Sequence, residues 1–101
     1  PRLKDVDCDY GVVYSEVRVF MRAMYQKAKL VHADLSEYNI LYHRKHAYIV
    51  DVGQSVSREH PAADYFLERD VKNISIFFTK KGVEAPYDDL LRFVKGTVPG
   101  E

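Results

Sequence analysis

The spacing of hydrophobic residues changes repeatedly along the chain, and each change marks an element. From Tyr14 the apolar positions Val17, Phe20, Met21, Met24 and Ala28 recur every three or four residues, which is one face of a helix. Glu16, Arg18, Arg22, Gln26 and Lys27 fill the other face, and its late basic residues suit the negative end of the helix dipole. Residues 1–12 show no period and read as a lead-in segment. Beyond Leu30-Val31 the pattern breaks, and residues 32–39 crowd polar groups as a loop does. Ile40-Leu-Tyr42 and Ala47-Tyr-Ile-Val50 are short and β-prone, with His43-Arg-Lys-His46 as the turn of a predicted hairpin. His60-Pro61 reads as a helix start. Ala63, Phe66, Leu67, Val71, Ile74, Phe77 and Phe78 follow at helical spacing up to Gly82, with a break allowed near Arg69. A last helix is expected over about 86–95, with Asp88 and Asp89 in its first turn and Gly96 beyond its end, and 97–101 read as a frayed tail. The expected fold class is α+β, mainly helical with one short hairpin.

Four polar residues stand at telling positions in this frame: His32, Asp34, Asn39 and, after the hairpin, Asp51. His-x-Asp-x-x-x-x-Asn followed by a hydrophobic strand and Asp-x-Gly is a layout for phosphoryl transfer. A hairpin brings the start of its first strand and the end of its second to one edge, which places Asn39 beside Asp51. Such closeness lets two oxygen donors reach one small octahedral cation at about 2.0–2.1 Å. Asp34 is expected to orient the attacking group or accept its proton. Asn39 is expected to ligate metal through its side-chain oxygen, leaving its NH₂ for Asp34. Asp51 is the second expected ligand, because a lone acid ending a buried strand calls for a compensating cation. His32 has a structural part, its ring tying the loop to the strand that carries Asp51. Asp70 interrupts an apolar stripe and needs a partner: either it accepts N–H bonds from the 32–36 loop and holds Asp34 in place, or it caps a second helix.

Composition narrows the setting. Hydrophobic residues make up 47% of the 101 positions, enough for one modest core. Fifteen basic residues balance fifteen acidic ones, so net charge makes no case for nucleic-acid or membrane binding. Cys8 is the single cysteine; it forms no internal disulfide and fits a reducing compartment. With no charged-then-apolar leader and no membrane-length apolar run, the expectation is a soluble, cytoplasmic protein with no membrane partner. His43 and His46 share a predicted turn without further ligands and read as solvated rather than as a zinc pair. Lys27, Lys29, Lys80 and Lys81 read as solvated helix ends.

Three linked stretches carry a resemblance. His32-Ala-Asp-Leu-Ser-Glu-Tyr-Asn39, Ile49-Val-Asp-Val-Gly-Gln-Ser-Val56 and the run from His60-Pro61 to Ile74 together resemble the C-terminal lobe of a RIO-family atypical protein kinase. The type 1 branch, and its archaeal members, are the most similar, and the likeness runs from Val17 to Gly96. It implies an ATP- and Mg²⁺-dependent Ser/Thr kinase or ATPase, with Mn²⁺ able to replace Mg²⁺. It further implies a protein substrate and work on precursors of the small ribosomal subunit. Asp34 would be catalytic, Asn39 and Asp51 would hold metal and nucleotide, and Asp51 would serve as phosphate carrier in members that use one.

The departures from ordinary protein kinases have physical readings. Ala33 stands where those enzymes carry an arginine that pairs with a phosphorylated activation loop, and only six residues separate Gly53 from His60. Ser36 replaces the lysine that contacts the transferred phosphate. The five glycines contain no G-x-G, and no ATP-anchoring Lys–Glu pair is assignable. Residues 1–101 are therefore expected to be the C-terminal lobe without its N-terminal ATP-binding lobe, and inactive alone. Two other readings remain: a small-molecule phosphotransferase of the aminoglycoside kinase type, which shares the motif order, and a non-catalytic ribosome-assembly scaffold.

Overall fold

The computed structural model describes residues 2–96. The first helix, α1 (Tyr10–Ala23), starts four residues earlier than the apolar period predicts, because Asp9 caps it. The Asp9 carboxylate accepts from the N–H groups of Gly11 and Val12 at 3.1 and 3.2 Å, satisfying two donors that a helix start leaves open. The lead-in segment is structured as well. Leu3 is fully buried in a short 3₁₀ turn, Arg2 bridges to Leu41, and the Tyr10 hydroxyl donates to the carbonyls of Leu3 and Val6. A π-helical turn, Met24–Ala28, continues α1 and ends at Lys29, whose φ of 59° turns the chain into β1 (Leu30–Val31).

The hairpin forms where expected, but with a shorter turn: His43 and His46 are its last strand pair rather than turn residues. β2 (Ile40–His43) and β3 (His46–Ile49) pair antiparallel with Ile40 opposite Ile49. Arg44 and Lys45 both have positive φ, 51° and 68°, the geometry of a two-residue turn matched to strand twist. Two residues read as solvated are exposed as expected and have partners as well. His46 Nδ1 meets Glu16 Oε2 at 2.9 Å while Glu16 Oε1 accepts from the Ala47 N–H, so the hairpin is tied to α1. Lys81 lies over the rings of Tyr10 and Phe77. After a 3₁₀ turn at Val52–Gln54, β4 (Val56–Ser57) pairs antiparallel with β1, a contact that two-residue strands give no period to reveal.

α2 (Ala63–Lys80) runs unbroken through Arg69 and Asp70, so the allowed break is absent and Asp70 caps nothing. Pro61 lies in the turn before it. α3 (Tyr87–Lys95) ends at Gly96, where φ is 80° and an added Cβ would come within 2.5 Å of Gln26 Nε2. The predicted tail at 97–101 lies outside the described residues.

One core joins these elements: Val13, Val17 and Met21 from α1, Leu67, Val71, Ile74 and Phe78 from α2, and Leu90 and Val94 from α3. Phe78 sits at its centre with Tyr14 at a ring separation of 5.1 Å. Val31, Leu35 and Ile40 join the same cluster, so the loop between β1 and β2 is rooted in the core at both ends and beneath its middle. That rooting fixes the polar residues it carries.

Candidate active site

The 32–39 loop is held from below by α2. Asp70 is 1% exposed, and its two carboxylate oxygens accept from the N–H groups of Ala33 and Leu35, each at 2.9 Å. Burial raises its pKa above the ordinary carboxylate value, against those two hydrogen bonds and the nearby His32 and Arg69, which lower it. Arg69 donates to the Ala33 carbonyl, and Asn73 Nδ2 donates to the Leu35 carbonyl at 3.2 Å. Three side chains within about one turn of α2 thus meet the backbone on both sides of Asp34. They fix a loop whose Ala33 sits at φ 74°, a conformation that costs an L-residue free energy unless its surroundings impose it.

Replacing Asp70 by Asn tests this anchor. An amide offers one acceptor oxygen and turns an NH₂ toward the second backbone donor, leaving buried polar groups unmatched at about 2–3 kcal/mol. For a chain of this size the expected fall in thermal midpoint is about 10–20 °C. An Asn variant that melts with the parent protein would show the anchor to be dispensable.

His32 is 3% exposed and spans the site. Its Nδ1 accepts from the Asp34 N–H at 3.3 Å, which leaves Nε2 as the protonated nitrogen donating to the Val50 carbonyl at 3.0 Å. The ring therefore links the loop before Asp34 to the segment before Asp51. The hairpin closes one step beyond its last strand pair, the Val50 N–H donating to the Asn39 carbonyl at 2.8 Å. Asn39 and Asp51 meet as their side chains: Asn39 Nδ2 lies 3.3 Å from Asp51 Oδ2. Asp34 is tied to the turn that follows Asp51, Gln54 Nε2 donating to Asp34 Oδ2 at 3.3 Å.

Two details differ from expectation. The Asn39 NH₂ bonds Asp51 rather than Asp34, and the Asn39 oxygen accepts from the Ser36 N–H at 3.1 Å in a capping box that closes the 3₁₀ turn Glu37–Asn39. Asp51 is exposed rather than at the end of a buried strand, and it holds a left-handed backbone, φ 60° and ψ 41°. A short polar side chain tolerates that region better than most, and it turns the carboxylate out of the strand toward Asn39. Asp34 is exposed too, so both acids face solvent above a rigid base.

Two exposed carboxylates, each accepting from one amide, are the kind of group that favours a cation. A carboxylate and an amide oxygen are the donors a hard cation prefers, and half a turn of the Asn39 amide brings its oxygen to the Asp51 side. The pair fits Mg²⁺, which takes few protein ligands and completes its shell with phosphate and water. Among the described residues no group of three or more His, Cys, Asp or Glu is placed to hold a metal. Gln54, Arg69 and Asn73 were not singled out as site residues by sequence reasoning. The one available signal was the one- and four-residue spacing of Arg69, Asp70 and Asn73 on a single helix.

Comparison with known structures places the lobe in a class. The crystal structure of a Rio2 kinase–ADP/Mg²⁺–phosphoaspartate complex from Chaetomium thermophilum matches with a TM-score of 0.71 and 25% identity over 99% of this chain and 34% of that one. The architecture is therefore the α+β, mainly helical lobe of a protein-kinase-like fold. The RIO domain family model matches residues 1–90, and the chain belongs to the RIO family. A Thermoplasma acidophilum protein described as RIO-type serine/threonine-protein kinase Rio1 is 50% identical over 95 residues, 94% of this chain and 50% of its own length. A human protein described as serine/threonine-protein kinase RIO1 is 52% identical over 86 residues, 82% of this chain and 15% of its own. The chain thus spans half or less of the length of these relatives. No helix among the described residues is long and apolar enough to cross a membrane.

Proposed function

We propose that this chain is the C-terminal lobe of an ATP-dependent Ser/Thr protein kinase, the other lobe supplying the phosphate-covering loop and the ATP-anchoring lysine. The observation that carries the reading is the side-chain contact of Asn39 with Asp51, with Asp34 bonded to Gln54 of the turn that follows Asp51. Asp34 takes the proton of a substrate Ser or Thr hydroxyl as its oxygen attacks the γ-phosphorus, and the bond from that phosphorus to the bridging oxygen of ADP breaks. Asn39 and Asp51 would hold Mg²⁺, which supplies charge neutralisation on the phosphates when bound. His32 and Asp70 keep the loop still while this happens, so the geometry is present before the nucleotide arrives. The working place is proposed to be the cytoplasm, on precursors of the small ribosomal subunit, as the family resemblance implies.

A second use of the site is favoured by the phosphoaspartate named in the Chaetomium thermophilum Rio2 complex. In this chain Asp51 is the candidate acceptor: its carboxylate oxygen attacks the γ-phosphorus, ADP leaves, and water later releases phosphate from the acyl phosphate. The exposed, outward-turned carboxylate suits that step.

Labelled ATP given to the two-lobed protein tests the reading. Transfer to protein Ser or Thr, or release of phosphate, that is abolished by EDTA is expected. ATP consumption that appears only with an aminoglycoside would move the assignment to a small-molecule phosphotransferase. Normal subunit maturation in cells carrying Asp34→Ala, but not in cells lacking the protein, would move it to a scaffold.

A further inference from the structure

A second surface lies on the outer face of α2, beside the loop that carries Asp34. A groove of about 670 Å³ opens between α2 and the start of α3, lined by Tyr65, Glu68, Arg69, Lys72, Ile76 and Tyr87. Tyr65, Arg69, Lys72 and Ile76 are four, three and four residues apart, so they form one stripe along the outer face of α2. An outer helix face is ordinarily polar, yet here Tyr65 is 63% exposed and Ile76 45%. Burying those two side chains against a partner would stabilise a complex; leaving them in water stabilises nothing.

Charge defines the partner. Glu68 is the single acid of the groove, against Arg69 and Lys72. Lys72 has no hydrogen bond or ion pair among the described residues, and its ammonium is exposed. Arg69 is held in place by its bond to the Ala33 carbonyl and by the rings of Tyr65 and Phe66, 5.9 and 5.3 Å from its guanidinium carbon. Ala33 immediately precedes Asp34, so the stripe passes at Arg69 beside the loop that carries the proposed proton acceptor.

The segment that would carry a peptide platform in a larger kinase is folded away. Val56–Ser57 pairs with Leu30–Val31, and Arg58 binds the Lys29 carbonyl through its N–H at 2.9 Å and the Tyr25 carbonyl through Nη1 at 3.1 Å. A protein substrate therefore needs another surface, and the α2 stripe is next to the loop. Eleven residues of helix span about 16 Å, the length of about five residues of extended chain.

We propose that this groove docks the protein substrate as an extended acidic segment. One acidic side chain lies against Lys72 and apolar ones against Tyr65 and Ile76, with the acceptor Ser or Thr on the side of Arg69 that faces the 32–36 loop. The proposal rests on the kinase reading for its purpose, though not for the binding itself.

The test titrates the 101-residue chain with a fluorescent serine peptide carrying glutamates and leucines at alternate positions, and with its lysine-for-glutamate counterpart. Saturable binding of the glutamate peptide is expected, weakened about tenfold by Lys72→Glu and by Ile76→Asp. Lys72→Glu should also gain affinity for the lysine peptide, an outcome that a merely unfolded variant cannot give. In the two-lobed enzyme, Lys72→Glu should raise KM for the glutamate peptide with kcat and peptide-independent ATP hydrolysis unchanged. No saturable binding to the parent chain, or equal binding by Lys72→Glu, overturns the proposal. So does self-association of the chain that Ile76→Asp abolishes, which assigns the groove to a second copy. Peptide binding without phosphoryl transfer by the two-lobed enzyme instead sinks the kinase reading and leaves the groove standing.

Discussion

Asp34→Ala in the two-lobed enzyme is expected to lower phosphoryl transfer about 10²–10⁴-fold, the usual contribution of a positioned general base. Affinity for Mg²⁺ATP should stay within about twofold, because Asp34 has no part in holding metal or nucleotide here. The thermal midpoint should also hold. Asp34 is exposed and among the described residues its side chain has one hydrogen bond, from Gln54, while the loop is fixed through backbone groups on either side. Loss of stability along with activity would mean that Asp34 helps to build the loop. Single-turnover transfer, equilibrium nucleotide binding and a melting curve separate these outcomes.

Asp51→Asn should have a comparable effect by a different route. The substitution keeps the shape and the tolerance of Asn for the left-handed backbone that Asp51 adopts, so the turn into Val52–Gln54 should survive. It removes the negative charge proposed to hold the cation, and with it an expected several kcal/mol of charge stabilisation in the transition state, about 10³-fold in rate. Nucleotide affinity should lose its Mg²⁺ dependence, in contrast to Asp34→Ala. If Asp51 also carries phosphate, a hydroxylamine-sensitive phosphoenzyme present in the parent protein should vanish in the variant. An Asp51→Asn enzyme with parental Mg²⁺ dependence would remove Asp51 from the metal site.

The helices and the hairpin were legible because their apolar residues keep a period over two or more turns or four paired positions. The start of α1 was not: Asp9 is a cap, but Gly11 and the exposed Val12 blur the face that follows it. β1 and β4 are two residues each, too short to show any alternation, and their pairing spans the whole site. Asp70 looked like an interruption of α2 because its partners, Ala33 and Leu35, lie more than thirty residues away in the chain. The acids and the amide of the site were legible as residue types at fixed spacing. How the amide faces was not, since the capping box of Ser36 competes for the same oxygen.

The most direct test of the site is the position of the cation itself. Crystals of the two-lobed enzyme with Mn²⁺ and a non-hydrolysable ATP analogue, measured at the manganese absorption edge, would locate it by anomalous scattering. The account predicts one manganese peak bonded to the Asn39 side-chain oxygen and an Asp51 carboxylate oxygen at about 2.0–2.2 Å, with Asp34 free of metal and facing the γ-phosphate. A peak that touches neither residue, or one bound by Asp34 in place of Asp51, would contradict it.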